Sequence, residues 1–265
     1  MNMVSTLISY QAITRDIGRS LALATSDRMT QRDKTYYLAE ISKIDSIDDF
    51  MSNQRVLSFA MRAFGLEDML NSKALIRKVL EGGIDDRRSL ANTLADPRFR
   101  EFAEAFNFKR YGATTTSFGR TQQGTVDRFL RQALETNAGR SNEGVRLALY
   151  FERKAPTINS VYSLLADRAI YKVIETALDL PTNLPSAGIE KQVALISQRL
   201  DIADLKDPKE LARFISRFAS LWDIENGGSA STSGVVGIAP LTSGQFGISS
   251  GTLASIQALR LNRGR

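Results

Sequence analysis

The sequence predicts an all-α fold: a duplicated multi-helix unit, followed by a flexible Gly/Ser-rich C-terminal tail that closes on a short terminal helix. Three observations lead there. Apolar residues recur at steps of three and four along most of the chain to residue 225, the period of a helix face. The stretch Ser46–Leu66 returns without a gap at Ser160–Leu180, at a constant offset of 114. From Asn226 the composition changes to NGGSASTSGVVGIAPLTSGQFGISSG, with seven glycines and six serines, too little apolar surface to offset the entropy of ordering. Nothing in the chain reads as a sheet.

Taken in order, residues 1–29 carry an N-terminal helix, Val4–Ala24, whose stripe is Leu7, Tyr10, Ile13, Ile17 and Leu21. Residues 30–106 make the first repeat. A helix opens near Thr30, with Asp33 completing an approximate capping box, and carries Tyr36, Tyr37, Leu38, Ile41 and Ile44. Ser46 with Asp49 caps the central helix, which Gly65 ends. Asn71–Glu81 and Ser89–Leu94 follow, and Asp96-Pro97 starts a helix bearing Phe99, Phe102, Ala103 and Phe106. Residues 107–124, rich in Thr and Gly, read as a linker loop between repeats. Residues 125–225 form the second repeat. It opens with Val126, Phe129, Leu130, Ala133 and Leu134, and its next helix, Asn142–Lys154, stops before Pro156. A turn at Leu180–Gly188, a helix with Val193, Leu195, Ile196 and Leu200, and a second Asp-Pro start at Asp207-Pro208 complete it. Residues 226–265 are the tail, with a terminal helix at Leu253–Leu261.

The two copies agree position by position. Apolar falls on apolar at Ile47/Val161, Phe50/Leu164, Val56/Ile170, Phe59/Val173 and Phe64/Leu178, and the offset carries upstream to place Tyr36 and Tyr37 on Tyr150 and Phe151. Repeats of this kind stack helical units that share a core.

Chemistry is excluded more readily than assigned. The chain has no Cys, so disulfides, thiolate metal sites and thiol nucleophiles are impossible. It has no His, so Ser-His-Asp, Cys-His and HExxH constellations are impossible too. No phosphate-binding glycine loop occurs, and the sequence points to no catalytic residue, no cofactor and no metal. The acids at Asp45/Asp48/Asp49, Asp85/Asp86 and Asp201/Asp204/Asp207 lack calcium-loop spacing and fit helix starts and turns. Arg146 with Glu143 and Arg153 reads as a salt-bridged helix face.

The net charge of +6 and pI of 9.6 raise a nucleic-acid-binding regulator as the alternative reading. Its basic and aromatic contact, Lys109, Arg110 and Tyr111, is three loop residues without a matching stripe, which argues against it. No apolar run is long enough to span a membrane. The N-terminus lacks the basic residues and cleavage site of a secretory signal.

The motifs RVLSFAMRAFGLED, ALIRKVLEGG, SLANTLADPRFREFAEAF and EGVRLALYFERKAPTINSVYSLLADRAIYKVIETAL, with the closing ISSGTLASIQALRL, resemble a bacterial family of unknown function. Its all-helical domain often occurs in tandem, and its members tend to be encoded among flagellar genes. The resemblance implies a non-enzymatic structural or assembly role in the flagellum, through flagellar protein partners or self-association. It also implies residence in the flagellum or cytoplasm, by flagellar-type export in the former case, for which absence of Cys is common. The second copy departs from the first where Asp179 stands for Gly65 and Pro181 follows. The apolar residues Leu7, Tyr10, Ile13, Ile17 and Leu21, with Leu253, Ile256, Leu259 and Leu261 at the other end, are the expected partner contacts.

Overall fold

The computed structural model describes residues 5–226, and the expected tail and terminal helix beyond them lie outside the described residues. Those described are helical, with no strand among them. α1 (Thr6–Arg15) and α2 (Ile17–Ala24) replace the single helix expected over Val4–Ala24. The break is Asp16, at φ −141° and ψ 79°, whose side chain accepts from the Arg19 N–H and so begins a new helix. α3 (Arg28–Ile41) is capped by Asp27, which accepts from the Thr30 N–H.

The central helix also divides. α4 (Ile47–Ser52) is capped by Ser46, and α5 (Gln54–Ala63) by Asn53, which accepts from the Val56 N–H. α6 (Lys73–Gly82), α7 (Leu90–Thr93) and α8 (Pro97–Ala105) follow, α8 with Asp96 as its cap and Pro97 in the first turn. Residues 107–124, read from sequence as a linker loop, contain α9 (Phe108–Tyr111) and a 3-10 turn at Gly112–Ser117. Threonine hydroxyls explain the difference. Buried Thr116 donates to the Ile44 carbonyl at 2.7 Å, and buried Thr121 to the Phe118 carbonyl at 2.8 Å. The Tyr37 hydroxyl in turn donates to the Thr121 carbonyl. A polar composition is thereby turned into a satisfied, packed segment.

α10 (Gln123–Ser141) and α11 (Glu143–Lys154) come next, then α12 (Val161–Ala166), α13 (Arg168–Ala177), α14 (Ile189–Arg199) and α15 (Pro208–Asn226). Two apolar cores result. The first joins α3 to α8 around Tyr37, Phe50, Leu57, Phe59, Phe102 and Phe106, with Phe59 stacked on Phe129 of α10 at 4.1 Å. The second joins α11 to α15 around Phe151, Leu164, Ile174, Ile196, Ile215 and Phe218, with Leu134 of α10 and Tyr10 of α1. α10 therefore belongs to both cores, Val126 and Phe129 to one and Leu134 to the other.

Two helix pairs share their bounds and end bonds. α12 and α13 begin and end 114 residues after α4 and α5. Ser46 accepts from the Asp49 N–H and Ser160 from the Ser163 N–H. α5 closes with Leu66 N–H donating to the Met61 carbonyl at 2.8 Å, and α13 with Leu180 N–H donating to the Glu175 carbonyl at 2.9 Å. The residue needing positive φ is Gly65 (72°) in one and Asp179 (50°) in the other. Likeness ends at the Asp-Pro starts. α8 packs on α6 and α7, whereas α15 packs on α11 and α13.

Candidate functional site

A cleft of about 450 Å³ opens where the C-terminus of α5 and the N-termini of α8 and α13 meet the facing sides of α10 and α11. Its wall carries Arg98, Arg128, Arg146, Arg153, Lys154 and Arg168 against Asp96, Glu101 and Asp167. Six cations oppose three carboxylates, so the lining is formally positive.

Most of these charges have a structural task. Asp96 caps α8 by accepting from the Arg98 N–H at 2.9 Å and holds the Arg98 guanidinium at 2.7 Å; Arg98 then donates to the Gly65 carbonyl at the end of α5. Burial alone would raise the Asp96 carboxyl, but its hydrogen bonds from Arg98 outweigh that and hold it below the usual carboxylate range. Asp167 caps α13, accepting from the Ala169 and Ile170 N–H groups, and accepts a hydrogen bond from the Tyr150 hydroxyl at 2.6 Å. Burial, and then Asp167, pushes the Tyr150 hydroxyl well above its ordinary range, so it stays protonated and donates. Lys154 of α11 donates to Glu101 of α8, an ion pair from one core to the other.

Beneath the cleft, Glu135 is almost fully buried and takes a two-pronged contact from Arg153 at 2.7 and 2.8 Å. Burial works against the Arg153 charge, and the Glu135 hydrogen bonds more than restore it, raising its pKa. Arg131 lies 3.6 Å from Glu135 and 3.2 Å from Glu152. Removing one member of such a buried set leaves an uncompensated charge, a loss on the order of 3 kcal/mol. Arg146 is held by Glu143 at 2.8 Å, as the sequence suggested, while Arg153 turns to Glu135 instead. Every carboxylate of the lining is thus a cap or an ion-pair partner, an arrangement suited to holding helices and binding.

The expected partner contacts at the N-terminus sit elsewhere. Tyr10 is buried, and Ile13, Ile17 and Leu21 pack against the second core rather than facing outward. Leu7 is partly buried; the large apolar residues of α1 and α2 that face solvent are Ile8 and Leu23, 62% and 67% exposed. Leu253, Ile256, Leu259 and Leu261 lie outside the described residues. The acidic groups fall where caps need them: Asp201 accepts from the Ala203 N–H and Asp207 from the Lys209 N–H, while Asp48 pairs with Arg77 and Asp85 with Arg110. Among the described residues no three His, Cys, Asp or Glu cluster as a metal site would require. No described helix is long and apolar enough to cross a membrane.

Sequence reading did not find the cleft. Its lining comes from five separated stretches between residues 63 and 169, so no local spacing marks it. One signal was available: the 114-residue offset pairs Tyr36 and Asn53 with Tyr150 and Asp167. Tyr36 does donate to Asn53, at 3.5 Å, so the Tyr150–Asp167 bond is the charged counterpart of a contact in the first half.

The comparison with curated proteins returns no match. A structural-genomics protein from Agrobacterium tumefaciens, solved by X-ray crystallography, is 42% identical to this chain, covers 84% of it and 97% of its own length, and superposes with a TM-score of 0.78. Residues 63–211, more than half of the chain and including the whole lining of the cleft, match the model of a family described as a protein of unknown function, DUF1217. By that family match over more than half of its length, the chain belongs to the DUF1217 family.

Proposed function

We propose that the chain is a non-enzymatic structural or assembly protein of the bacterial flagellar system, built from a duplicated helical unit and acting through protein–protein contacts. The observation that carries the reading is the cleft. It is concave and cationic, and its carboxylates are committed to caps and ion pairs, which suits recognition rather than turnover. The flagellar placement rests on the resemblance of the family motifs and their association with flagellar genes. Duplication is supported by the matching bounds of α4–α5 and α12–α13 and by the shared hydrogen-bond pattern that closes α5 and α13. In this reading the protein works at the flagellum or in the cytoplasm beside it. A clean in-frame deletion tests it: the strain loses swimming and filaments and regains both with the gene in trans. Normal motility and normal flagellation would overturn the placement.

The nucleic-acid reading keeps the high pI in its favour. Against it, Arg110 is bound to Asp85 at 2.9 Å and Arg120 lies over Tyr111 and Phe118, so the basic loop spends its cations internally.

A further inference from the structure

We propose that the cleft between the two cores is a receptor for a carboxylate-rich segment of a protein partner, with Arg128 and Arg168 as its principal contacts. The charges of the lining single these two out. Arg98 is held by Asp96, Arg146 by Glu143, Arg153 by Glu135 and Lys154 by Glu101. Arg168, exposed at the first position of α13, makes no side-chain hydrogen bond or ion pair among the described residues. Arg128 lies over the Phe64 ring at 4.8 Å and reaches Glu101 only at 3.5 Å, a carboxylate that Lys154 already engages. Two guanidinium groups from α10 and α13 therefore line one cavity, Arg168 without a carboxylate and Arg128 sharing Glu101 with Lys154.

The chemistry of the walls selects the occupant. A guanidinium presents a planar fork that matches a carboxylate in two-pronged fashion. The Phe64 and Tyr150 rings add apolar surface for the stems of acidic side chains. Asp96, Glu101 and Asp167 in the same wall are each engaged by a neighbour, which leaves Arg128 and Arg168 as the cations to meet a ligand and suits one or two carboxylates of a segment. The volume, about 450 Å³, is at the small end of ligand sites and accommodates a few residues rather than a domain. The chain's own tail has the wrong charge: after Glu225 it contains Arg260, Arg263 and Arg265 and no acid. The inference rests on the reading of the chain as a contact protein, and not on its flagellar placement.

The test uses the full chain and a rhodamine-labelled hexaglutamate peptide, followed by fluorescence anisotropy at low salt. Saturable binding is expected, weakened about tenfold or more by Arg168→Glu and by Arg128→Glu separately, as loss of a charge-assisted pair requires, and abolished when both are present. Circular dichroism of the variants should match the parent, because Arg168 makes no side-chain bond among the described residues and Arg128 contributes only one long, partly exposed ion pair and a ring contact. Lys191→Glu, on α14 outside the lining, should bind as the parent does. No saturable binding, or equal weakening by Lys191→Glu, would overturn the proposal, the second by reducing it to attraction to the net charge. Citrate and inorganic phosphate are titrated alone; either binding as tightly as the peptide would assign the cleft to a small anion and overturn the peptide assignment. A motile deletion strain with peptide binding intact would remove the flagellar placement and leave the cleft as assigned.

Discussion

Asp179 occupies the position that Gly65 fills in the first half, and at φ 50° it holds a conformation that costs an L-residue with a Cβ more than it costs glycine. The α13 terminus keeps its closing bonds, Asp179 N–H to the Thr176 carbonyl and Leu180 N–H to the Glu175 carbonyl, so the strain is local and is borne by the rest of the turn. Asp179→Gly relieves it without removing a contact that the fold uses, although the added freedom of glycine in the unfolded chain offsets part of the gain. The expected result is a net increase in stability of roughly 0.5 kcal/mol, read as a higher urea midpoint at unchanged slope. A lower midpoint would mean that the Asp179 side chain supports the turn by itself. Other single positions are just as tightly determined. A Cβ on Gly144 would come within 2.4 Å of the Trp222 ring and 2.9 Å of Thr6, so only glycine lets α11 approach α15 and α1 this closely.

α1 shows how an element is held by chemistry at its end as much as by its stripe. Asp223 of α15 accepts from the Thr6 N–H and the Ser5 hydroxyl, both at 2.9 Å, and takes the Thr6 hydroxyl as well; Thr6 is fully buried and also bonds to Asn142. A carboxylate from another helix thus serves the open N–H groups that every helix start leaves over. Asp223→Ala removes that service and is expected to cost about 1–2 kcal/mol, in the range of a lost cap. Hydrogen exchange would show it as faster exchange confined to residues 6–15, whereas uniform acceleration along the chain would deny α1 a separate attachment. The stripe that made α1 and α2 legible, Leu7 to Leu21, gave no hint of Asp223, which is more than 200 residues away. The same holds more widely. Helices with full apolar periods, such as α6 and α15, could be read directly, because period alone specifies them. The divisions at Asp16 and Asn53 hid inside continuous stripes, where one capping side chain outweighs the period. Residues 107–124 hid for the opposite reason: their Thr and Gly content suggested a loop, and only the carbonyls of Ile44 and Phe118 reveal the hydroxyls as internal donors.

At the scale of the whole described chain, the question is what makes two cores behave as one body. The ion pair between Lys154 and Glu101 crosses between them, but a single partly exposed pair contributes little beyond about 1 kcal/mol. α10 is the stronger candidate, since its Val126 and Phe129 are buried in the first core and its Leu134 in the second, so neither core can lose the helix without exposing apolar surface in both. No sequence pattern could announce this, because α10 reads as one more amphipathic helix until its two ends are seen to serve different neighbours. The cleft exists for the same reason: it is the gap that α10 bridges, and Arg128 and Gln132 look into it. Residues 5–226 are therefore expected to unfold in one calorimetric transition, with calorimetric and van't Hoff enthalpies that agree. Gln132→Pro, at the middle of α10, removes the N–H that bonds to residue 128 and crowds its carbonyl, a cost of about 3 kcal/mol or more. With the bridge broken between Phe129 and Leu134, each half keeps most of its own apolar contacts and should melt separately, giving two transitions in place of one. A single transition at lower temperature in that variant would move the coupling from α10 to the pairs across the cleft, and two transitions in the parent would deny α10 the role altogether.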